Sequence, residues 1–406
     1  MSMDNLRVRA YNVQFGDAIL VTFPEITEDG NEKIRHILFD VGNVLSSTKG
    51  GSNEAFQPVF ENILDELGGN QLDLYIMTHE HLDHVQGPIF AEKELYPAEN
   101  EFKDKLHPKY AWLTKSAHPY YYDDYPDAKK KSLLFRGIYD QITKYITALA
   151  ASGSEMDPIV EALWINNNHN ITRDCVDYIA SLADNTYYIH RGFDTTTKHP
   201  FNEAKIEIWA PEENTAEYYG RFRPMLMNLG ITEPTSNEDA LRLTELYPPP
   251  GVYAGAFYNL VNARKGYIEN LLQIDKAANN TSVVCCIEWR GVRLLFTGDA
   301  EEKSWKIMNR ENMLKPVDFL KVSHHASENG MPSLEILEKI VPDSGKIQCA
   351  LVSTWLNTYS GVPDEETIQS LHEHCVQMHI TYRESEPGEY IDIYFDPKEP
   401  SPSYHV

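Results

Sequence analysis

Cysteine is scarce in this chain of 406 residues. The five present (Cys175, Cys285, Cys286, Cys349 and Cys375) form no CxxC pair, and an odd number cannot all be paired. That excludes a disulfide-stapled scaffold and suits reduced thiols in a cytosol. Long apolar runs are missing too. No stretch approaches the roughly 18 residues that span a bilayer, so no membrane partner is expected. The opening MSMDNLRVRAYNV has no apolar segment that would serve as a secretory signal. Positive charge is short as well: 36 Lys and Arg face 61 Asp and Glu, a formal net charge of −25. Such a balance argues against a broad electrostatic footprint on nucleic acid, while a local groove or a metal centre could still attract phosphate. No repeat of fixed period is evident. These absences lead to the expectation of a soluble, cytoplasmic protein.

What the chain does contain is strand and helix texture in two portions. LRVRAYNV (6–13), AILVTF (18–23) and IRHILF (34–39) read as strands. GSNEAFQPVFENILDELGG (51–69) reads as a helix, with Val59, Phe60, Ile63, Leu64 and Leu67 at helical spacing and a Gly-Gly stop. LDLYIMT (72–78) is then a buried strand. Residues 95–200 are rich in Tyr, Asn, Asp and Lys, with helices expected near 133–151 and 173–184; a second irregular stretch runs over 212–279 and includes YPPPG (247–251). Strands return at KIEIWAP (205–211), in a hairpin turning at Arg290-Gly291, and at 316–325, 346–354 and 389–395; 364–375 reads as a helix. The alternation points to a layered α/β domain with insertions, spanning 1–406 as one unit with its core in about 6–92 and 205–395. The halves echo each other: ILFDVG places Asp40, and LLFTGDA places Asp299, just past a strand.

The strand 72–78 runs straight into THEHLDHV. At an extended strand end, residues i and i+2 point the same way, so His79 and His81 can converge on one ion. If a helix starts at Leu82, Asp83 and His84 face back into the same space. Imidazole nitrogens plus a carboxylate are donors that Zn²⁺ takes, and Mn²⁺ or Fe could use them too. Asp299 in FTGDA and His324 and His325 in LKVSHHAS, all at strand ends, supply the rest of a two-ion ligand set. A further group, His372, His374, Cys375 and His379 in HEHCVQMH, reads as a solvated helix ending, where only Cys375 and His379 share a face.

HEHLDH resembles the HxHxDH signature of the metallo-β-lactamase superfamily. NVQFGDAILV, ILFDVG, NNTSVV, LLFTGDA and LKVSHHAS are similar, in order and rough spacing, to motifs of its competence-type (ComEC-like) branch. The resemblance covers about 6–92 and 205–395. It implies a four-layer αβ/βα sandwich with helical and irregular insertions, and two bound metal ions, Zn²⁺ or alternatively Mn²⁺. The metal ligands it implies are His79, His81, Asp83 and His84, with Asp299 as bridging carboxylate and one of His324 and His325 as the last imidazole; Asp40 supports the first motif from behind. Three departures stand out. Gln86 replaces a glycine in HVQG, Ala326 replaces the glycine of HHGS, and no histidine follows KIEIWAP where the superfamily places its middle one. His118, His190 and His199 are the substitutes within reach in sequence.

The chemistry implied is hydrolysis by a metal-bound hydroxide, with Asp83 as general base and Asp299 spanning the ions. Lys321 and Ser327 could hold an anionic group of the substrate. A phosphodiesterase or nuclease acting on nucleic acid or a nucleotide-type diester comes first. A hydrolase of another ester, thioester or lactam comes second, and a binding module with a degenerate metal site third.

Overall fold

The computed structural model describes residues 5–44, 53–220, 248–356, 358–359 and 361–398. The first residues of the expected 51–69 helix, most of the second irregular stretch (221–247) and the Tyr247 of YPPPG lie outside the described residues. Thirteen strands are present among those described. They are β1 Leu6–Tyr11, β2 Ala18–Ile26, β3 Glu32–Val41, β4 Leu74–Met77, β5 Tyr110–Thr114, β6 Asn185–Ile189, β7 Ala204–Ala210, β8 Val284–Trp289, β9 Val292–Phe296, β10 Phe319–Lys321, β11 Ile347–Val352, β12 Cys375–Ile380 and β13 Tyr390–Phe395.

Two mixed sheets result. The first has the order β13-β1-β2-β3-β4-β5-β6 and the second β12-β11-β10-β9-β8-β7. In each, a run of antiparallel strands (β1-β2-β3, β7-β8-β9) gives way to parallel ones (β4-β5-β6, β10-β11-β12). The echo between ILFDVG and LLFTGDA is thus an architectural one: β3 and β9 occupy equivalent places. The sheets face each other across a core in which Val21, Phe39 and Trp112 meet Ile287, Phe296 and Phe319. Phe39 stacks on Phe296 with ring centroids 4.2 Å apart.

Helices cover both outer faces. α1 (Phe56–Leu67) buries Phe56, Val59, Phe60, Ile63 and Leu67 at helical spacing and stops at Gly68, whose φ of 55° only glycine adopts at no steric cost. It is joined on the first sheet by α2 (Leu82–Phe90); of the first-insertion helices α3 (Pro126–Ala151), α4 (Pro158–Asn166) and α5 (His169–Leu182), α5 packs there too. From the second insertion come α6 (Ala254–Lys265) and α7 (Tyr267–Asn279), which pack with α3 and α4 through Ile142, Leu163 and Leu271. α8 (Glu302–Arg310) and α9 (Glu365–His374) lie on the second sheet. The layers are therefore αβ/βα, as the resemblance implies. No helix among the described residues is long and apolar enough to cross a membrane.

Two expectations need correcting. The 95–200 stretch is not wholly an insertion, because YAWLT and NTYYI form β5 and β6 and extend the first sheet. And HEHCVQMH is not a helix ending throughout: from Cys375 it is edge strand β12, parallel to β11, so Cys375 and His379 share no helical face. Cys375 and Ile380, at its two ends, are buried. The hairpin at Arg290-Gly291 is present, with φ of 44° and 77° that match a two-residue hairpin turn.

Two predictions follow from packing. A Cβ on Gly42 would sit 2.4 Å from the backbone of Asp83 and of His84, atoms that cannot step aside. Gly42→Ala is therefore expected to cost at least the ~3 kcal/mol upper range of core overpacking, read from urea denaturation; an unchanged midpoint would show that the two segments can separate. The second concerns His36, on β3. Burial holds its pKa at about 4 despite the nearby carboxylates of Asp73 and Glu66. The fold keeps the ring neutral while the unfolded chain takes up a proton below pH ~6.5, so stability falls as pH drops from about 6.5 to 4, by up to ~3 kcal/mol. In His36→Gln that acid-dependent loss is expected to shrink by the same amount in parallel urea titrations.

Candidate metal centre

Parallel strands deliver side chains at their carboxyl ends, and four such ends meet here. β4 leads into Thr78-His79-Glu80-His81 and then α2, whose first turn carries Asp83 and His84. β3 ends at Asp40, β9 is followed by Asp299, and β10 by His324 and His325. The two sheets are tied at this point by Val283 N–H donating to Thr78 O at 2.9 Å. Ser282 Oγ accepts from the Asp299 backbone N–H at 3.0 Å. Gly298, at φ 50°, lets β9 pass against Thr78 and Ser282. The loop after β10 is unusual: His324, Ala326 and, between them, His325 all have positive φ (47°, 62° and 53°). Ala326 thus stands in a left-handed conformation that favours glycine, the residue the related motif has there.

Asp83, His84, Asp299 and His325 offer donor atoms that all lie within 4.8 Å of one another, and all four are buried. One oxygen, Asp299 Oδ2, is 3.3 Å from His84 Nε2 and 3.2 Å from His325 Nε2; Asp83 Oδ2 is 3.3 Å from the same His325 nitrogen. His84 Nε2, His325 Nε2 and Asp83 Oδ1 nevertheless have no hydrogen-bond partner. The protonation pattern explains this. His325 Nδ1 faces a carbonyl, Ser353 O, at 2.7 Å and must donate to it. His84 Nδ1 donates to Asp40 Oδ2 at 2.8 Å. Each ring therefore turns its Nε2 to the cluster, where it can ligate a cation once its proton is displaced. Buried polar atoms left without partners are rare, and here they converge with carboxylates on one point, which is what a divalent cation needs.

His79 and His81 form an adjoining pair. Thr78 Oγ1 donates to Asp40 Oδ2 (2.6 Å), so it can only accept from His79 Nδ1 (3.1 Å). His81 Nε2 donates to Asn167 Oδ1 at 3.0 Å, because the Asn167 amide nitrogen is committed to Leu163 O and Asp275 Oδ1. The remaining nitrogens, His79 Nε2 and His81 Nδ1, are both bare and only 3.1 Å apart. Two ligands about 2.0–2.1 Å from one tetrahedral zinc sit at a similar spacing.

Electrostatics agree. Burial would raise the Asp299 carboxyl, but His325, His84 and Lys321 outweigh it and hold the group well below its ordinary range; Asp83 is lowered in the same way by His84 and His325. Burial would lower His325, yet Asp299 and Asp83 lift it to about 10. Burial and the neighbouring His84 and His81 push His79 well below its usual value and keep it a neutral ligand. A cation entering such a cluster must displace protons from the imidazoles, so binding is coupled to proton release.

The other expected residues fall into two groups. Asp40 accepts from Thr78 and His84 and so fixes both, from behind the cluster. Lys321 does not face a ligand: it is 1 % exposed, and its ammonium lies 2.5 Å from Asp17 Oδ2 and 3.5 Å from Asp299 Oδ1. Ser327 does line a cavity of about 170 Å³ together with Asp83, Asp275 and His324, and its Oγ is 2.8 Å from His324 Nδ1. His324 turns away from His325, toward Asp275 and Glu301. His118, His190 and His199 stay outside: His118 packs on Tyr188, His190 bonds Arg191 O, and His199 stacks on Phe201. Sequence reading missed Asp17, Asn166, Asn167, Asp275 and Asn279. Asp17 had a signal, the GDA within NVQFGDAILV, and so did Asn279, the first residue of NNTSVV; Asn166, Asn167 and Asp275 sit in insertions with none.

No family model matches this chain, and no curated protein does. Among solved structures, a long form RNase Z from yeast aligns over 98 % of this chain and 42 % of its own length, at 9 % identity and a TM-score of 0.37. The chain thus spans less than half of that protein, and the geometry above stands without it.

Stripping bound metal with a chelator is expected to lower the melting temperature, since a ligand at a hundredfold excess over Kd stabilises by about 2.7 kcal/mol. His84→Ala should abolish that chelator-sensitive increment. Equal melting curves with and without chelator in the unsubstituted chain would refute metal binding at this cluster.

Proposed function

We propose that this chain is a metal-dependent hydrolase of the metallo-β-lactamase type, acting on phosphodiesters of small or single-stranded form. The observation that carries the reading is the convergence of the His84 and His325 imidazoles with Asp83 and Asp299 at one buried point that opens to a cavity. Asp83, His84, Asp299 and His325 would hold a divalent ion, Zn²⁺ or Mn²⁺, which when bound would supply Lewis acidity and lower the pKa of water toward neutrality.

The protein's own groups divide the rest of the work. Asp83 Oδ1 has no partner within the fold and Asp83 lines the cavity, so this oxygen is the one able to receive the proton of the attacking water. Asp299, held ionised by His84, His325 and Lys321, keeps the two halves of the cluster at fixed separation. Ser327, on the cavity wall, donates to Asn329 Oδ1 at 2.9 Å and would have to release that bond to donate to a substrate oxygen. Phe15, Leu163 and Leu272 keep the cavity poor in water, which strengthens each charge inside it.

Substrate size follows from shape and charge. The cavity admits a single group rather than a duplex, and with a net charge of −25 the surface gives a long polyanion little long-range attraction. Among the described residues only Lys276 brings a cation to the cavity lining, beside three apolar side chains from α4 and α7 (Ile159, Leu163 and Leu272). That lining favours a second reading, hydrolysis of an uncharged ester, thioester or lactam.

The test compares bis-p-nitrophenyl phosphate, single- and double-stranded DNA and RNA with a lactone, thioester and lactam panel, each with Zn²⁺ or Mn²⁺. Turnover of the small diester and of single strands is expected, falling at least a hundredfold in Asp83→Asn, in line with loss of a general base. Inertness on every diester would sink the first reading; turnover of lactone or thioester in the same assay would install the second.

A further inference from the structure

The pair His79 and His81 brings two ring nitrogens within 3.1 Å of each other, which makes two donors for one ion. Structural and catalytic zinc sites need more than two. None of the histidines outside the cluster, His118, His190 or His199, reaches it. The second insertion, however, ends beside it.

Asn279, the last residue of α7, is fully buried. Its amide nitrogen donates to Asp275 Oδ2 at 3.1 Å and to Glu301 Oε1 at 2.9 Å, and lies 3.2 Å from His324 Nε2. Those three acceptors form a ligand-like group of their own, but the NH₂ already sits among them. They also fix the amide's orientation, because a flip would set its oxygen against two carboxylates. What remains is Asn279 Oδ1: buried, oriented, and without any hydrogen-bond partner. Three residues further on, Ser282 holds the backbone of Asp299, so Asn279 stands at the edge of the cluster rather than in the body of the insertion.

We infer that Asn279 Oδ1 is a ligand of the ion held by His79 and His81, so that the helical insertion completes the first metal position in place of a histidine. An amide oxygen is a neutral, oxygen-type donor. It leaves this ion less tightly held than the one among Asp83, His84, Asp299 and His325, and shifts its preference toward Mn²⁺ relative to an all-imidazole site. The chain from His81 Nε2 through Asn167 to Asp275 and on to Asn279 couples the two donors: the same carboxylate orients the partner of one and the amide of the other. The inference rests on the metal-binding part of the proposed function and not on the phosphodiester part.

The experiment is titration of the chelator-stripped full chain with Zn²⁺ and with Co²⁺, counting ions by native mass spectrometry and following the cobalt absorption bands. The unsubstituted chain is expected to take up two ions. Asn279→Ala is expected to keep one and bind the other ten- to a hundredfold more weakly, with an altered cobalt spectrum. His81→Ala should weaken the same ion, and the double variant should be no worse than either single one. Asn279→Asp separates ligation from packing. It removes the two N–H donors yet keeps an oxygen, so a folded Asn279→Asp that holds both ions supports ligation, and one that loses an ion overturns it. Two ions held by Asn279→Ala with unchanged affinity and spectrum, or a single ion in the unsubstituted chain, would also overturn it. None of these readouts involves a substrate. A chain inert on diesters but behaving this way keeps the inference and loses the function; a diesterase with one ion does the reverse.

Discussion

Four carboxylates, those of Asp17, Asp40, Asp83 and Asp299, are buried together where the two sheets meet, each no more than 2 % exposed. Among the described residues one permanent cation, Lys321, joins this group, shared between Asp17 and Asp299. Burying an unpaired charge is far costlier than burying apolar surface, so the remaining negative charge must be met by protonated imidazoles or by bound cations. The rest of the site follows from that demand. Asp40 spends its oxygens on Thr78 and His84, which leaves Asp299 and Asp83 to face the Nε2 atoms of His84 and His325. A divalent ion is the one group small enough to lie among these atoms and charged enough to balance them.

Holding donors at this spacing requires the backbone to do unusual things nearby, and the deviations cluster accordingly. The segment of Gly42 presses on the backbone of Asp83 and His84, and Gly298 presses on Thr78 and Ser282. Three successive residues after β10 adopt left-handed conformations, two of them histidines. Such strain persists only where the surroundings over-determine it. Here Ser353 O anchors His325 from one side and Ser327 anchors His324 from the other. The turn splits the adjacent histidines: one faces the carboxylates, and its neighbour faces the insertion. That split settles which imidazole of the pair joins the cluster, a choice adjacent positions in sequence cannot make.

Legibility followed locality. THEHLDHV could be read because strand-end alternation and the first turn of a helix are short-range geometry, and the structure places β4 and α2 on either side of it as expected. Asp40 and Asp299 were legible as strand ends, and the mirror arrangement of β3 and β9 gives that pattern its reason. Lys321 was misread, since a strand lysine looks amphipathic in sequence while its burial depends on Asp17, some three hundred residues away. β5 and β6 were hidden inside polar surroundings because five-residue strands in a parallel sheet carry no alternation to detect. β12 was hidden by a helix that runs into it without a break. Asn167 and Asp275 had no signal at all, because nothing in a helix's own periodicity tells which of its polar residues will meet a site built by other elements.

The insertions deserve more weight than their irregular composition suggests. One arrives from each half of the molecule, and both end at the same place: Asn166 accepts from the Asp83 backbone N–H and Asn167 from His81, while Asp275 and Asn279 bind each other and, through Asn167, the same histidine. α4 and α7 also supply Ile159, Leu163 and Leu272 to the cavity above the cluster. The core can therefore set where ions sit, while the insertions set how one of them is held and what can reach it. Placing those two tasks on separate pieces of chain lets substrate preference change without disturbing the buried charge balance, since residues of α4 and α7 that face the cavity are not the ones that hold Asp299. It also means that chemistry inferred from the core motifs alone stops short of the substrate: the walls that would select it are built from sequence those motifs do not contain.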